Sequence, residues 1–320
     1  MGDITVGIDV GGTKIQAAAA RDQEIIGTFR LATPQSGARD VAAAIVAAAT
    51  AALAETEAHP SEVRGVGIGA PGTIDTGAGT VSSSPNLPGF QASAPVPLGT
   101  MVSEGLGGAP VTIDNDVRVA ILGEWKRGAG RSYRNLLGVW VGTGVGGGLI
   151  LNGEPYHGQG AAGEIGHIIV KPGGRVCSDG RKGHLEAYAG RGRMEVYARE
   201  LHEGGRKTDL FKIMEKKGRT RMSSGVIADA LEEGDKLAAE LIEGAVWALS
   251  VGLATVQNLL SLEAIVIGGG LGDRLGAPFV ERIAREMEPL LFVGDEPPKM
   301  LTTEHGDLSG AVGGAVLAGG

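Results

Sequence analysis

The chain holds one cysteine, Cys177, in 320 residues. No internal disulfide can form, which fits a reducing cytoplasm. Clustered Lys and Arg are missing as well, and the formal net charge is −8. Nucleic acid is therefore not an expected partner, because such a surface needs concentrated positive charge. The opening residues, MGDITVGIDVGG, carry neither a basic segment nor a long apolar one, so no secretory leader is expected. There is no low-complexity linker and no repeat of 20–50 residues. One uncharged run, Gly244 to Leu262, has about the length of a bilayer span. Ser250, Thr255, Gln257, Asn258 and Ser261 interrupt it, and acids rather than Lys or Arg flank it, so it reads as a buried helix and no membrane is expected.

What the chain has in excess is glycine, at 56 positions. This stands well above the usual ~7% without the strict triplet period of collagen, and it clusters at strand ends. Apolar residues at 42% and charged residues at 21% are close to globular averages, which excludes disordered and fibrous classes. The length allows two ordinary domains, or one large α/β unit with a cleft.

Short β-branched runs alternate with longer helical patterns, the mark of an α/β sheet. Ile4–Val10, Glu24–Arg30 and Val63–Ile68 read as strands, and alanine-rich Ala42–Ala54 as a helix crossing between them. A second block echoes the first: Val111–Asp114, a helix up to Trp125, then strands at Leu136–Val141 and Gly148–Leu151. Helices dominate from Glu186 to Ser261, the strand Ala264–Ile267 leads into Gly268-Gly269-Gly270, and Asp307–Ala318 reads as a small-residue helix returning to the N-terminal domain.

Two glycine-rich turns follow apolar strands. Gly11-Gly12-Thr13-Lys14 offers backbone N–H groups, a hydroxyl and an ammonium, the donors an anionic phosphate needs at close approach. By itself it is equally a plain hairpin turn, and it matches neither a Walker A sequence nor a dinucleotide fingerprint. The second turn, Gly142-Thr143-Gly144-Val145-Gly146-Gly147-Gly148, has more glycine than a hairpin requires. Two such turns suit one nucleotide, with Gly269 and Gly270 lying against its base. Asp9, ending the first strand, suits Mg²⁺ held through water.

Ile113-Asp114-Asn115-Asp116 ends a strand and opens a helix, at the sheet edge where α/β proteins bind ligands. Asn115 or Asp116 suits a helix N-cap. Asp116 also suits the base that phosphoryl transfer needs beside the attacking oxygen, with Asn115 holding a neighbouring hydroxyl. Glu164, His167 and Glu186 offer the carboxylates and ring nitrogens that read sugar hydroxyls.

Together these segments resemble the ROK family of bacterial sugar kinases and related repressors, and within it the glucokinases. The similarity rests on DVGGTK at 9–14, APG at 70–72, NLPGF at 86–90, DNDVR at 114–118, GTGVGGG at 142–148, GEIGH at 163–167, LEAYAG at 185–190 and IGGGLG at 267–272. It implies an actin-like ATPase (ribonuclease H-like) α/β fold with two domains and an intervening cleft, divided as 1–116 with 305–320 and 117–304. It implies ATP and Mg²⁺, a glucose-like hexose, a homodimer and a cytoplasmic enzyme. Asp116 matches the catalytic aspartate, while Asn115, Glu164, His167 and Glu186 match hexose contacts, and Gly72 and Asn86 fall where the small domain nears the sugar. The first phosphate motif begins within ten residues of Met1, so the DNA-binding domain of the family's repressors is not expected ahead of it.

The chain departs from the family at its zinc motif, a histidine followed by C-x-C-G-x-x-G-C-x-E. Here Asp179 and His184 stand where cysteines are usual, giving a degenerate set of His167, Cys177, Asp179 and His184. Either zinc persists on this set, or an ordered loop has lost it. Kinases for N-acetylmannosamine, N-acetylglucosamine or fructose, a polyphosphate donor, and a sugar sensor without catalysis are the competing readings.

Overall fold

The computed structural model describes residues 3–22, 24–56, 62–84, 87–91 and 94–319. The chain forms two compact units, one running to Ser132 and completed from Glu304 onward, the other spanning Tyr133–Thr303.

The first unit is built on β1 (Ile4–Val10), β2 (Lys14–Arg21), β3 (Glu24–Ala32), α1 (Ala38–Ala54), β4 (Val63–Ala70), the small hairpin β5 (Thr73–Asp75) and β6 (Thr80–Ser83), α2 (Leu98–Gly105), β7 (Val111–Asn115) and α3 (Asp116–Arg127). Its five-stranded sheet has the order β3-β2-β1-β4-β7. β1, β2 and β3 run antiparallel, while β4 and β7 are parallel to β1. Strand β2, KIQAAAAR, escapes a reading by propensity because alanine favours helices. It becomes a strand because neighbours on both edges claim its backbone, and it is buried along almost its whole length. Methyl groups are all that fits where packed elements cover both faces. α1 buries Val41, Ala42, Ile45, Ala48, Ala49, Ala52 and Leu53, one stripe at helical spacing.

The second unit repeats the plan with β8 (Leu136–Val141), β9 (Val145–Leu151), β10 (Glu154–Tyr156), the helices α4 (Glu186–Ala189), α5 (Arg191–Glu203), α6 (Leu210–Lys216), α7 (Ser224–Glu232) and α8 (Lys236–Leu260), then β11 (Ala264–Gly268), α9 (Gly269–Met287) and β12 (Lys299–Thr302). The sheet order is β10-β9-β8-β11-β12, again with three antiparallel strands followed by two parallel ones. β9 begins at Val145, so Gly146, Gly147 and Gly148 lie inside a strand and the second turn is only Gly142–Gly144. Among the described residues α8 is the one helix with the length and hydropathy of a bilayer span, and 67% of its apolar window is buried. Its Leu241, Ala245, Leu249 and Leu253 are fully buried in this unit's core.

The chain closes on the first unit with α10 (Ser309–Gly319). A Cβ at Gly7 would lie 1.8 Å from the Ala311 carbonyl oxygen, and one at Gly67 would lie 2.0 Å from that of Gly314. The helix backbone thus rests directly on β1 and β4, which only glycine in the strands permits. α10 also packs on α3, so α3 belongs with the first unit, and the sequence-based division at 116/117 falls at this helix's N-terminus. The buried Glu124 carboxylate of α3 fastens the returning chain, accepting from Ala129 N and Glu304 N at 3.0 Å, His305 N at 3.0 Å and Ser309 Oγ at 2.6 Å.

Candidate active site

In the first unit the register pairs Asp9 with Gly69 and Gly69 with Asp114, which brings the carboxyl ends of β1, β4 and β7 to one edge. The turn Gly11–Thr13 joins β1 to β2 as a hairpin closed by Gly11 N donating to Lys14 O at 2.8 Å. The hairpin and phosphate readings therefore describe the same residues. Thr33 Oγ1 donates to Gly11 O at 2.6 Å and Gln35 Nε2 to Gly12 O at 3.2 Å. With these carbonyls and the Gly11 N–H engaged, the Gly12 and Thr13 N–H groups and the Thr13 hydroxyl are what the turn presents to an anion.

Lys14 Nζ pairs with Asp307 Oδ1 and Arg30 with Asp307 Oδ2, each at 2.9 Å, and Arg30 Nε donates to Gln16 Oε1 at 2.6 Å. Burial alone would raise the Asp307 carboxyl, but Lys14 and Arg30 outweigh it and hold the pKa below the ordinary value. Asp9 behaves oppositely. Its pKa is raised from 3.8 to about 7, first by burial, then by the neighbouring charges of Asp116 and Asp307, with Lys14 and Arg30 only partly offsetting them. Among the described residues no hydrogen bond reaches its carboxyl, and Gly310 of α10 packs so closely that a Cβ there would lie 2.6 Å from Asp9 Cγ. A carboxyl short of donors, with two more acids nearby, fits a hard divalent cation such as Mg²⁺.

The Asp9 shift has a testable consequence. The folded state holds this proton up to about pH 7 while the unfolded chain releases it near 3.8, so stability falls as pH rises through that window. Asp9→Asn removes the penalty. In the absence of Mg²⁺ and nucleotide, the variant should gain on the unmodified protein between pH 5 and pH 8 by up to ~3 kcal/mol, less as solvent screens the site. Denaturant midpoints at the two pH values measure it, and equal differences at both would contradict the assignment.

At the end of β7, Asn115 has extended backbone geometry and is the N-cap of α3, its Oδ1 accepting from Val117 N at 3.1 Å and Arg118 N at 3.3 Å. The amide nitrogen takes no part in the cap. Asp114 is buried and paired with Arg118, whose Nε donates to its Oδ1 at 2.9 Å. Asp116 occupies the first helical position, where the helix dipole favours a negative charge, and it faces Asp9 closely enough to raise it. Gly72 follows β4 with φ +111°, and a Cβ there would lie 1.9 Å from Ser83 O, so the chain turns there only as glycine. Asn86 lies outside the described residues.

In the second unit the Gly142–Gly144 turn joins β8 to β9, with Gly142 N donating to Gly144 O at 2.9 Å. Thr143 is exposed. Gly268 pairs with Trp140, which sets Gly269 and Gly270, the first residues of α9, at the same sheet edge as the turn. Glu186, nearly fully buried, has its carboxylate engaged within the unit: Oε2 accepts from Val145 N at 2.9 Å, and Oε1 from Cys177 Sγ at 3.4 Å and from Ser178 Oγ. Gly144 makes room for it, since a Cβ there would lie 2.3 Å from Glu186 Oε2. Glu164 is exposed at the start of a short 3-10 turn, Ile165–His167.

His167, Cys177, Asp179 and His184 do come together, each offering one ligand atom within 4.8 Å of the others. His167 Nδ1 and His184 Nδ1 are 3.4 Å apart, and Asp179 Oδ2 lies 3.5 Å and 3.4 Å from them. These separations are long for hydrogen bonds, yet donors arranged tetrahedrally at about 2.1 Å from zinc stand about 3.4 Å from one another. The donor set therefore fits a metal. Burial pushes the Cys177 thiol up, and an ion would have to displace its proton from Glu186.

Some of the supporting residues gave no signal in the sequence. Glu124, Asp307, Arg30 and Arg191 act through partners remote along the chain, such as Arg30 with Asp307, and no local spacing marks them.

Two α/β units with repeated five-stranded sheets, each with a glycine hairpin turn at the carboxyl edge, have the actin-like ATPase fold, whose function is decided by the site it carries. Residues 5–320 match the ROK family profile, and the chain belongs to the ROK family. It is 34% identical over 319 residues to a glucokinase of Halalkalibacterium halodurans, covering 98% of this chain and 94% of that one. It is 30% identical over 315 residues to an N-acetylmannosamine kinase of Yersinia pseudotuberculosis, covering 97% of each chain. The crystal structure of a Streptomyces griseus ROK glucokinase in complex with glucose and AMPPNP superposes with TM-score 0.82 at 31% identity, covering 98% of this chain and 99% of that one.

Proposed function

We propose that this protein is an ATP-dependent hexose kinase that phosphorylates glucose, with Asp116 as general base. The observation that carries the reading is the placement of Asp116 at the first position of α3, beside Asp9 and on the same sheet edge as the Gly11–Lys14 turn. The relative of 34% identity is a glucokinase, and the Streptomyces griseus enzyme was solved with glucose.

In the first unit Asp116 takes the proton of the attacking hydroxyl, and the Asn115 amide nitrogen donates to the neighbouring hydroxyl, its oxygen being held by the helix cap. Gly72 and Asn86 complete the approach to the sugar. In the second unit Glu164, His167 and Glu186 are the hexose contacts, Glu186 through the acceptor capacity its internal partners leave. In the first unit Gly11, Gly12, Thr13 and Lys14 are the groups suited to ATP phosphate; in the second unit Gly142, Thr143 and Gly144 are so suited, and Gly269 and Gly270 suit the adenine. Asp9 would hold Mg²⁺, which would supply charge neutralisation on the phosphates. The protein acts in the cytoplasm as a homodimer, which light scattering at twice the 32.5 kDa chain mass would show.

A coupled assay over glucose, fructose, N-acetylglucosamine and N-acetylmannosamine, with ATP and with polyphosphate, tests the reading. Glucose with ATP is expected to have the highest kcat/KM. The N-acetylmannosamine kinase among the relatives makes that sugar the second reading, and its leading the panel would establish it. Sugar binding without turnover on any substrate would leave a sensor.

We further propose zinc at His167, Cys177, Asp179 and His184, where it would fix the loop that carries His167 and Glu186. Elemental analysis of protein purified without an affinity tag is expected to find about one zinc per chain, since each of the four donors is a zinc ligand type and they lie within 4.8 Å of one another. Chelation should raise the KM for hexose more than it lowers kcat. Metal-free protein with unchanged kinetics would show a loop held by hydrogen bonds alone.

A further inference from the structure

Arg191 joins three segments that are distant in sequence. Its Nε donates to Met222 O at 2.9 Å, one terminal nitrogen to Ser224 Oγ at 2.9 Å, and the other to Thr143 Oγ1 at 3.1 Å. Its own backbone N donates to Gly142 O at 3.1 Å, and Gly192 N donates to Thr143 O at 2.9 Å, so the start of α5 also grips the turn. Gly270 adjoins the same group: a Cβ there would lie 3.3 Å from Ser224 Oγ and 3.5 Å from the guanidinium.

A hydroxyl that accepts from a guanidinium has its own proton left to give. Arg191 can only donate, so both hydroxyls it holds are set with their protons turned away from it. The surroundings favour an anion. Arg199 and Arg221 share a single carboxylate, Glu195, and Arg191 adds a third positive charge nearby. Burial and the charge of Arg221 push the Arg191 pKa down, and Glu195 only partly offsets them.

We propose that Arg191 is a positioning residue for nucleotide binding, presenting the Thr143 and Ser224 hydroxyls as donors to the nucleotide, and that Ser224 contacts that nucleotide directly. This rests on the kinase reading above. Arg191 acts through the two hydroxyls, so its removal and theirs should not add.

Calorimetry with AMPPNP on the full-length protein, together with steady-state kinetics, tests it. Arg191→Met is expected to weaken AMPPNP binding and raise the KM for ATP about tenfold, as for loss of charge-assisted hydrogen bonds, while the KM for hexose stays within about twofold. Thr143→Ala and Ser224→Ala should each lose roughly three- to tenfold, Thr143→Ser should restore affinity, and adding Thr143→Ala to Arg191→Met should cost little more. The alanine variants trim single hydroxyls and carry the test even where Arg191→Met does not fold. Unchanged AMPPNP affinity in these variants, or fully additive losses, overturns the inference alone. Failure of the unmodified protein to bind AMPPNP overturns the kinase reading and this inference with it.

Discussion

Asp116→Asn is expected to lose roughly 10²–10⁴-fold in kcat, the usual worth of a positioned general base, while hexose affinity changes little. The amide keeps the shape of the side chain and can still bond a hydroxyl, but it cannot take the proton as the phosphoryl group transfers. Asn115 would be a poorer probe, because its Oδ1 caps α3 and its loss would mix about 1 kcal/mol of helix stability into the result. Asp116 accepts from the adjacent Val117 N at 3.0 Å, and the cap, which is made by Asn115, survives its replacement. Calorimetric glucose binding alongside turnover separates the two effects. An Asn variant with unmodified turnover would remove Asp116 from the reaction.

The second large effect is on stability, at a residue with no part in the proposed chemistry. Glu124→Gln should cost roughly 1–3 kcal/mol for each donor that loses its acceptor. The carboxylate receives two donors on each oxygen, Ala129 N and Glu304 N on one, His305 N and Ser309 Oγ on the other. A carboxamide offers one oxygen and turns an NH₂ toward the other pair; Ser309 Oγ can accept from that NH₂ and give its proton to Gly306 O, so His305 N is left facing a donor in a site closed to water. The expected cost is about 1–3 kcal/mol, read as a lowered urea midpoint with an unchanged slope. A midpoint equal to that of the unmodified protein would mean that water or a local shift satisfies these groups. Because Glu124 fastens the segment leading to Asp307, the variant should also loosen the partner of Lys14 and Arg30.

Local chemistry made much of this protein legible from the residues in order. β-Branched runs such as Ile4–Val10 and Ala264–Ile267 became strands, and Asp116 took the head of a helix because Asn115 before it has the side chain of an N-cap. The two glycine turns announced themselves as turns, since glycine tolerates the backbone they need. The His167, Cys177, Asp179 and His184 set came from the resemblance, as the residues standing at the family's zinc motif, and the fold does gather it.

Tertiary structure decided the rest, for one reason: the partners are far apart along the chain. β2 is a strand only because β1 and β3 flank it, against the helical preference of its alanines. The glycines of β1 and β4 have their purpose in a helix that begins at Ser309, whose backbone they let rest on the sheet. The raised Asp9 carboxyl, the Asp307 pairs and the Arg191 hub each depend on burial and on charges from other elements. Spacing in sequence carries information about one strand, one helix or one turn. Desolvation and electrostatic coupling arise only when the chain has brought those elements within a few ångströms of each other.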